Sequence, residues 1–116
     1  MRRGALLATF ALLFAMPAAA SVRVLITPAQ TGKTIHLAKG ATAKLRLSHR
    51  WSWTDPRVSS AAVDLTPVAF FVDPGYDEWV VTARAKGKAT IRARGAPACA
   101  HCGLSSKKLR VTIVVP

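Results

Sequence analysis

Apolar and polar residues alternate along three stretches near the C-terminus of the chain. Residues 79–84, 89–94 and 108–115 each place an apolar side chain at about every second position. This period of two is typical of a β-strand that packs one face on a core and leaves the other in water. The turn of residues 85–88, which contains Gly87, separates the first two stretches. The pattern therefore predicts three consecutive strands in this region.

Shorter stretches of the same kind precede these three. The candidate strands there are residues 22–26, 33–37, 42–47, 51–53, 62–65 and 68–72. Residues 73–75, Asp-Pro-Gly, follow the last of these and predict a turn, because proline presets φ and glycine admits a positive φ. No segment after residue 20 keeps the i, i+3, i+4, i+7 apolar spacing of a helix. The sequence thus predicts an all-β fold, an antiparallel sandwich of seven or eight strands in two sheets.

The first twenty residues have the pattern of an export signal. A basic start, residues 1–3, is followed by an uncharged apolar run, residues 5–16, and by a small-residue cleavage pattern that ends at Ala20. The apolar run is shorter than the roughly 20 residues needed to cross a membrane. We expect a signal peptide, residues 1–20, that is cleaved at about Ala20. Residues 21–116 then form a single domain that is secreted to the periplasm or the extracellular space, and an uncleaved N-terminal anchor is the alternative.

Positive charge is unevenly distributed along the chain. The formal net charge is +12, yet residues 21–54 and 79–116 contain no acidic residue. All five acids lie between Asp55 and Glu78. Such a field favours anionic partners, namely a cell-envelope polymer, extracellular nucleic acid or an acidic protein. A merely basic, well-solvated surface is the other interpretation.

Two cysteines, Cys99 and Cys102, form a Cys-Ala-His-Cys sequence. In an oxidising compartment the two are expected to pair in a disulfide that pins the loop between the last two strands. Redox chemistry is the first alternative, although the helix that activates a Cys-x-x-Cys thiol is absent from the pattern. Metal binding with His101 is the second, although a closed zinc site needs four ligands.

The order of several short motifs resembles that of bacterial Ig-like domains. Lys39-Gly40 stands before a strand, Trp53 begins a Trp-Thr-Asp-Pro-Arg-Val stretch, and Gly87 lies in a Lys-Gly-Lys-Ala-Thr-Ile stretch before another strand. Group 2 bacterial Ig-like modules and chagasin-type cysteine peptidase inhibitors share this arrangement. The resemblance covers residues 34–115 and implies an Ig-like β-sandwich. It also implies that the turn at Gly87 carries the chain from one sheet to the other.

Chagasin-type inhibitors act through three loops at one end of their sandwich, and this sequence departs from all three loop motifs. Residues 47–50 replace the Asn-Pro-Thr-Thr-Gly motif, residues 73–78 contain one glycine where the family has a glycine-rich loop, and residues 94–97 lack the aromatic residue of an Arg-Pro-Trp motif. The scaffold of the family is therefore expected here without its usual contact residues.

Two groups of residues are candidates for binding. One of Trp51 and Trp53 is expected in the core. Aromatic side chains anchor interfaces, although core packing of Trp79 and partial burial of Tyr76 is the simpler interpretation. Aromatic and charged residues near loop tips form the first group: His49, Arg50, Trp51, Tyr76 and Trp79. Cations on the outward faces of two strands that we expect to pair form the second: Arg92, Arg94, Lys108 and Arg110.

These features favour a secreted, non-enzymatic Ig-like binding module whose partner is an anionic envelope polymer or another protein. A chagasin-like inhibitor of papain-type cysteine peptidases is the alternative. An enzyme is not expected, because Asp77 and Glu78 are adjacent in sequence and are not placed across a cleft as an acid and base pair would be. No cofactor, no metal and no sequence-specific nucleic-acid contact is expected.

Overall fold

The computed structural model of the chain describes residues 24–116, which contain nine strands where the sequence predicts seven or eight. The predicted signal peptide lies outside the described residues. The strands are β1 Val24–Ile26, β2 Thr34–His36, β3 Thr42–Ser48, β4 Trp51–Trp53, β5 Arg57–Val58, β6 Val63–Pro67, β7 Tyr76–Ala83, β8 Gly87–Pro97 and β9 Lys107–Val115.

Two sheets face each other. The first sheet has the order β1-β3-β7-β6, and the second has the order β2-β9-β8-β4, with β5 also paired to β8. The long central pairings are antiparallel, β3 with β7 and β8 with β9, which confirms the predicted antiparallel sandwich. Two short edge pairings are parallel, β1 with β3 and β2 with β9.

The core lies between the sheets and follows the alternation of the sequence. In β3 the side chains of Ala43, Leu45 and Leu47 are buried, and in β8 those of Ala89 and Ile91 are buried. Successive side chains of a strand point to opposite faces, so the residues between them face outward. The partly buried rings of Trp53 and Trp79 pack against this core.

Residues 84–86 connect β7 in the first sheet to β8 in the second, so the turn before Gly87 is a crossing between sheets. This confirms the crossing between sheets that the resemblance to bacterial Ig-like domains implies for the turn at Gly87. Backbone N–H groups of Arg84 and Ala85 donate to the carbonyl oxygen of Ala62 at 2.8 and 3.2 Å. Gly87 has a φ of 145°, which side chains with a Cβ adopt rarely, and this explains glycine at the corner.

Two local predictions are wrong. Residues 68–72 are not a strand but part of the loop between β6 and β7, while residues 76–78 belong to β7 rather than to a loop. Within residues 24–116 the chain also makes a 3-10 turn, Pro28–Gln30, where no helical structure is expected. Thr27 caps this turn by accepting the backbone N–H of Ala29. Across residues 24–116, no helix is long and apolar enough to cross a membrane.

Candidate functional site: three loops at one end of the sandwich

Three connections meet at the end of the sandwich where β3 passes into β4. The central one is the turn of residues 49–50, which also crosses from the first sheet to the second. Its His49 backbone N–H donates to the carbonyl oxygen of Gly75 at 2.9 Å, and its Arg50 carbonyl oxygen accepts the N–H of Ala98 at 3.0 Å. The turn therefore ties the β6–β7 loop on one side to the β8–β9 loop on the other.

The β6–β7 loop presents apolar side chains to solvent. Phe71 is fully exposed, Val72 is 79% exposed and Phe70 is 42% exposed. Exposed large apolar side chains grouped in this way mark interaction sites. None of the three is among the residues that we selected from the sequence. The signal for them was the adjacency of two phenylalanines, since neighbouring residues of a strand face opposite sides and both rings cannot enter one core.

His49 contacts one carboxylate in this loop, that of Asp73, and one in β7, that of Asp77. Its Nδ1 lies 3.0 Å from Oδ1 of Asp73, and its Nε2 lies 3.0 Å from Oδ1 of Asp77. The hydrogen bond to Asp77, with the nearby charge of Asp73, raises the pKa of His49 above its usual value. The backbone N–H of Gly75 donates to Asp73 and lowers the pKa of that carboxyl. A protonated imidazole can donate to both carboxylates at once, so the contact is strongest when His49 is charged.

A second ion pair lies on the outer face of the first sheet, next to the same loop. Glu78 is only 6% exposed, and its Oε1 accepts a hydrogen bond from Nε of Arg46 at 2.7 Å. The Arg46 guanidinium lies 4.7 Å from the ring centroid of Tyr76. Tyr76 in turn contacts Phe70 edge-on, with centroids 5.8 Å apart. Phe70 of the apolar loop thus packs on Tyr76 of β7, which in turn packs on Arg46 of β3.

The two tryptophans of β4 have different roles. Trp53 packs against the core and donates from Nε1 to the carbonyl oxygen of Ser48 at 2.9 Å, so it is the expected core tryptophan. Trp51 donates from Nε1 to the carbonyl oxygen of Ser105, also at 2.9 Å, and so reaches the β8–β9 loop. Gly95 of β8 lies beneath the ring of Trp53, where an added Cβ would come within 3.0 Å of ring atoms of Trp53 and within 2.9 Å of the Cβ of Trp51.

The β8–β9 loop carries the two cysteines. Cys99 and Cys102 are paired as a disulfide, with Cα atoms 5.7 Å apart, as expected from the sequence. Arg50 and Lys107 each place a cation near the ring of Trp51, at 5.6 and 5.2 Å from its centroid. In the described part of the chain, no three His, Cys, Asp or Glu side chains lie close enough together to hold a metal ion.

The structure separates the candidate residues into three locations. His49, Arg50, Trp51 and Tyr76 lie at the loop end, whereas Trp79 packs against the core, the simpler of the two interpretations. The remaining candidates lie on the second sheet, where β8 and β9 pair as expected: Arg92 opposite Arg110 and Arg94 opposite Lys108.

Comparison with solved structures relates this architecture to a class of proteins. The cysteine protease inhibitor EhICP2 from Entamoeba histolytica is similar in fold, with a TM-score of 0.59 and 18% identity over 81% of this chain and 95% of the inhibitor. The expected chagasin-type sandwich is thereby confirmed at the level of the fold.

Two further solved structures are more distant. Amebosin has a TM-score of 0.47 and 14% identity over 83% of this chain and 100% of its own. PbICP-C, solved in complex with falcipain-2, has a TM-score of 0.48 and 12% identity over 83% of this chain and 91% of its own. No family model matches the chain, and no curated protein matches its sequence significantly.

Proposed function

We propose that this protein inhibits papain-type cysteine peptidases by placing the apolar loop of residues 68–75 in the active-site cleft of the enzyme. The observation that carries the proposal is the exposure of Phe70, Phe71 and Val72 on a loop that His49 holds in place. The fold shared with a protein described as a cysteine protease inhibitor supports the same conclusion. The alternative interpretation of the sequence is therefore better supported than the binding module without inhibitory activity.

Preorganisation of the loop would favour inhibition in this way. A peptidase cleft is concave and accepts projecting side chains, and an apolar ring that enters a pocket releases water from both surfaces. A loop that is already fixed loses little conformational entropy on binding. The contacts of His49 with Asp73 and Asp77 and the packing of Phe70 on Tyr76 supply that restraint. The neighbouring turn and the β8–β9 loop would contact the rim of the cleft.

In the proposed complex, exposed apolar side chains would take the role that the loop motifs have in the chagasin-type family. The exposed apolar pair of Phe71 and Val72 directly precedes residues 73–78, where that family has a glycine-rich loop. A ring at the centre of an interface contributes more to affinity than residues at its edge. The protein would act as a ligand of the enzyme and would have no catalytic groups of its own.

Titration of papain with the purified protein tests the proposal. We expect the wild type to abolish hydrolysis of a fluorogenic peptide, and Phe71→Ala to weaken inhibition about 30-fold or more, as for an interface anchor. Leu25→Ala is the matched control, because Leu25 is a large apolar side chain 45% exposed on β1. The proposal fails if the wild type leaves papain active at micromolar concentration, or if both variants inhibit as well as the wild type.

A further inference from the structure

A grid of cations occupies the outer face of the second sheet. Arg57 of β5 lies opposite Arg92 of β8, which lies opposite Arg110 of β9. Arg94 and Lys108 form the adjacent row of the same face. Paired strands lie about 4.8 Å apart, and residues two apart along a strand are separated by about 7 Å. Neighbouring cations within a row are therefore about 4.8 Å apart at the backbone, and the two rows are about 7 Å apart. Five cations are thus held in fixed register by three strands.

The described residues that line this grid include one acid, Asp55, against five cations. Within residues 24–116, none of the five cations forms a salt bridge. Four of the acids have partners elsewhere: Asp64, Asp73, Asp77 and Glu78. Like charges placed directly opposite on paired strands destabilise a sheet. The arrangement therefore costs stability, and a bound anion would offset that cost.

The grid lines a groove that also carries hydroxyl groups. The groove has a volume of about 650 Å³, and Thr54, Ser59 and Asp55 lie along it. Thr54 Oγ1 accepts the backbone N–H of Arg94 at 3.0 Å, and Ser59 Oγ accepts that of Thr90 at 2.8 Å. Each hydroxyl still has its own proton to donate, and the carboxylate of Asp55 can accept a hydrogen bond.

The combination of cations, hydroxyl groups and a carboxylate in the groove favours an acidic polysaccharide over a single-stranded nucleic acid. The cations match repeated negative charges, while the hydroxyls and Asp55 match the hydroxyl groups of sugars. None of the residues that line the groove in the described chain is aromatic. Single-stranded nucleic acids are held largely by stacking of bases on aromatic rings, so the groove lacks their main contact.

We propose that this groove is a binding site for an acidic polysaccharide, a sugar chain that carries repeated sulfate or carboxylate groups. The site lies on a sheet face, whereas the proposed inhibitory surface is formed by loops at one end of the sandwich, so neither proposal depends on the other. Binding there would hold the protein on a polyanionic matrix while its loops stay free.

The test compares two variants of equal net charge. The groove variant replaces Arg92, Arg94, Lys108 and Arg110 with Gln. The control variant makes the same change at four exposed lysines outside the groove: Lys33, Lys39, Lys44 and Lys86. The probe is a heparin octasaccharide, with its affinity measured by calorimetry between about 50 and 200 mM salt, the range over which ion contacts weaken most.

We expect the groove variant to lose at least tenfold in affinity relative to the control variant, with a slope of log K against log salt shallower by about three. We also expect its Tm to equal or exceed that of the wild type, because repulsion has been removed. Equal losses in both variants would overturn the proposal, since net charge alone would then explain binding. Tighter binding of polyphosphate or of an oligothymidylate with the same number of charges would overturn the assignment to a polysaccharide.

Discussion

Nε2 of His49 lies 3.0 Å from Oδ1 of Asp77, and this contact joins the turn after β3 to the start of β7. The other ring nitrogen meets Asp73 in the apolar loop. One protonatable side chain therefore couples the position of the loop to the body of the first sheet.

The first prediction concerns the pH dependence of this contact. The pKa of His49 is raised in the folded protein, so its contribution to stability is complete below the ordinary histidine pKa of about 6.5 and is lost as pH rises through the folded value. The pKa of Asp73 is lowered, so its contribution is present above its ordinary value and is lost as pH falls through the folded value.

NMR titration of the His49 imidazole measures its pKa directly. We expect a pKa for His49 above the ordinary histidine value of about 6.5, and lower amide protection factors at residues 70–75 once His49 is deprotonated. His49→Gln removes the pH dependence of these protection factors, which are already corrected for the intrinsic effect of pH on amide exchange. A titration of His49 at or below the ordinary value would contradict the prediction.

The second prediction concerns Arg46 and Glu78. Replacing Arg46 with Leu leaves a buried carboxylate without its partner, and we expect the Tm to fall by about 5 °C or more. The double variant with Glu78→Leu regains much of this loss, because neither charge then remains. Arg84→Gln breaks the exposed pair with Asp64 and serves as the control, with little change in Tm. Calorimetry of Arg46→Leu, Glu78→Leu and the double variant measures the coupling. A Tm loss in the double variant equal to the sum of the two single losses would contradict the prediction.

The third prediction concerns Gly95. An added methyl group would approach Trp51 and Trp53 within 3.0 Å, so Gly95→Ala forces the strands apart and destabilises the fold by about 1–3 kcal/mol. Urea denaturation followed by tryptophan fluorescence measures the loss. Ala96→Ser, at the next, exposed position of β8, leaves the midpoint nearly unchanged. Equal midpoints for Gly95→Ala and Ala96→Ser would show that Trp51 and Trp53 give way at no cost in stability.

The fourth prediction concerns the hydrogen bond from Trp51 to Ser105. Trp51→Phe keeps an aromatic ring but removes the donor that reaches the β8–β9 loop. We expect a loss of about 1 kcal/mol in stability. Amide exchange of residues 103–106 accelerates, while that of residues 70–75 does not. Uniform acceleration in both loops would indicate global destabilisation instead.

The sandwich was predictable because its strands obey a simple rule. Residues 79–84, 89–94 and 108–115 alternate in sequence and lie in β7, β8 and β9 in the structure, except that β7 ends one residue earlier, at Ala83. The rule concerns which face of a strand a residue occupies, not which strand lies beside it. The parallel pairings of β1 and β2 at the sheet edges therefore could not be derived.

The candidate site was less predictable, because it depends on contacts between distant segments. Residues 68–72 have the composition of a strand, yet β6 ends at Pro67 and the chain leaves the sheet with Phe71 in solvent. Glu78 has the outward position expected from alternation, but it is buried beside Arg46, a residue 32 positions away. Local amino-acid composition therefore predicts neither the departure of residues 68–72 from the sheet nor the burial of Glu78.

The pairing of β2 with β9 has a consequence for how the protein comes to be folded. These strands are separated by most of the domain, and β9 also forms the longest pairing of the second sheet, with β8. A growing chain cannot complete that sheet before its ninth strand has been synthesised. Contacts this distant in sequence make folding slow, on the order of milliseconds to seconds. The second sheet therefore stays incomplete until β9 is available, whereas the first sheet, β1-β3-β7-β6, does not depend on it.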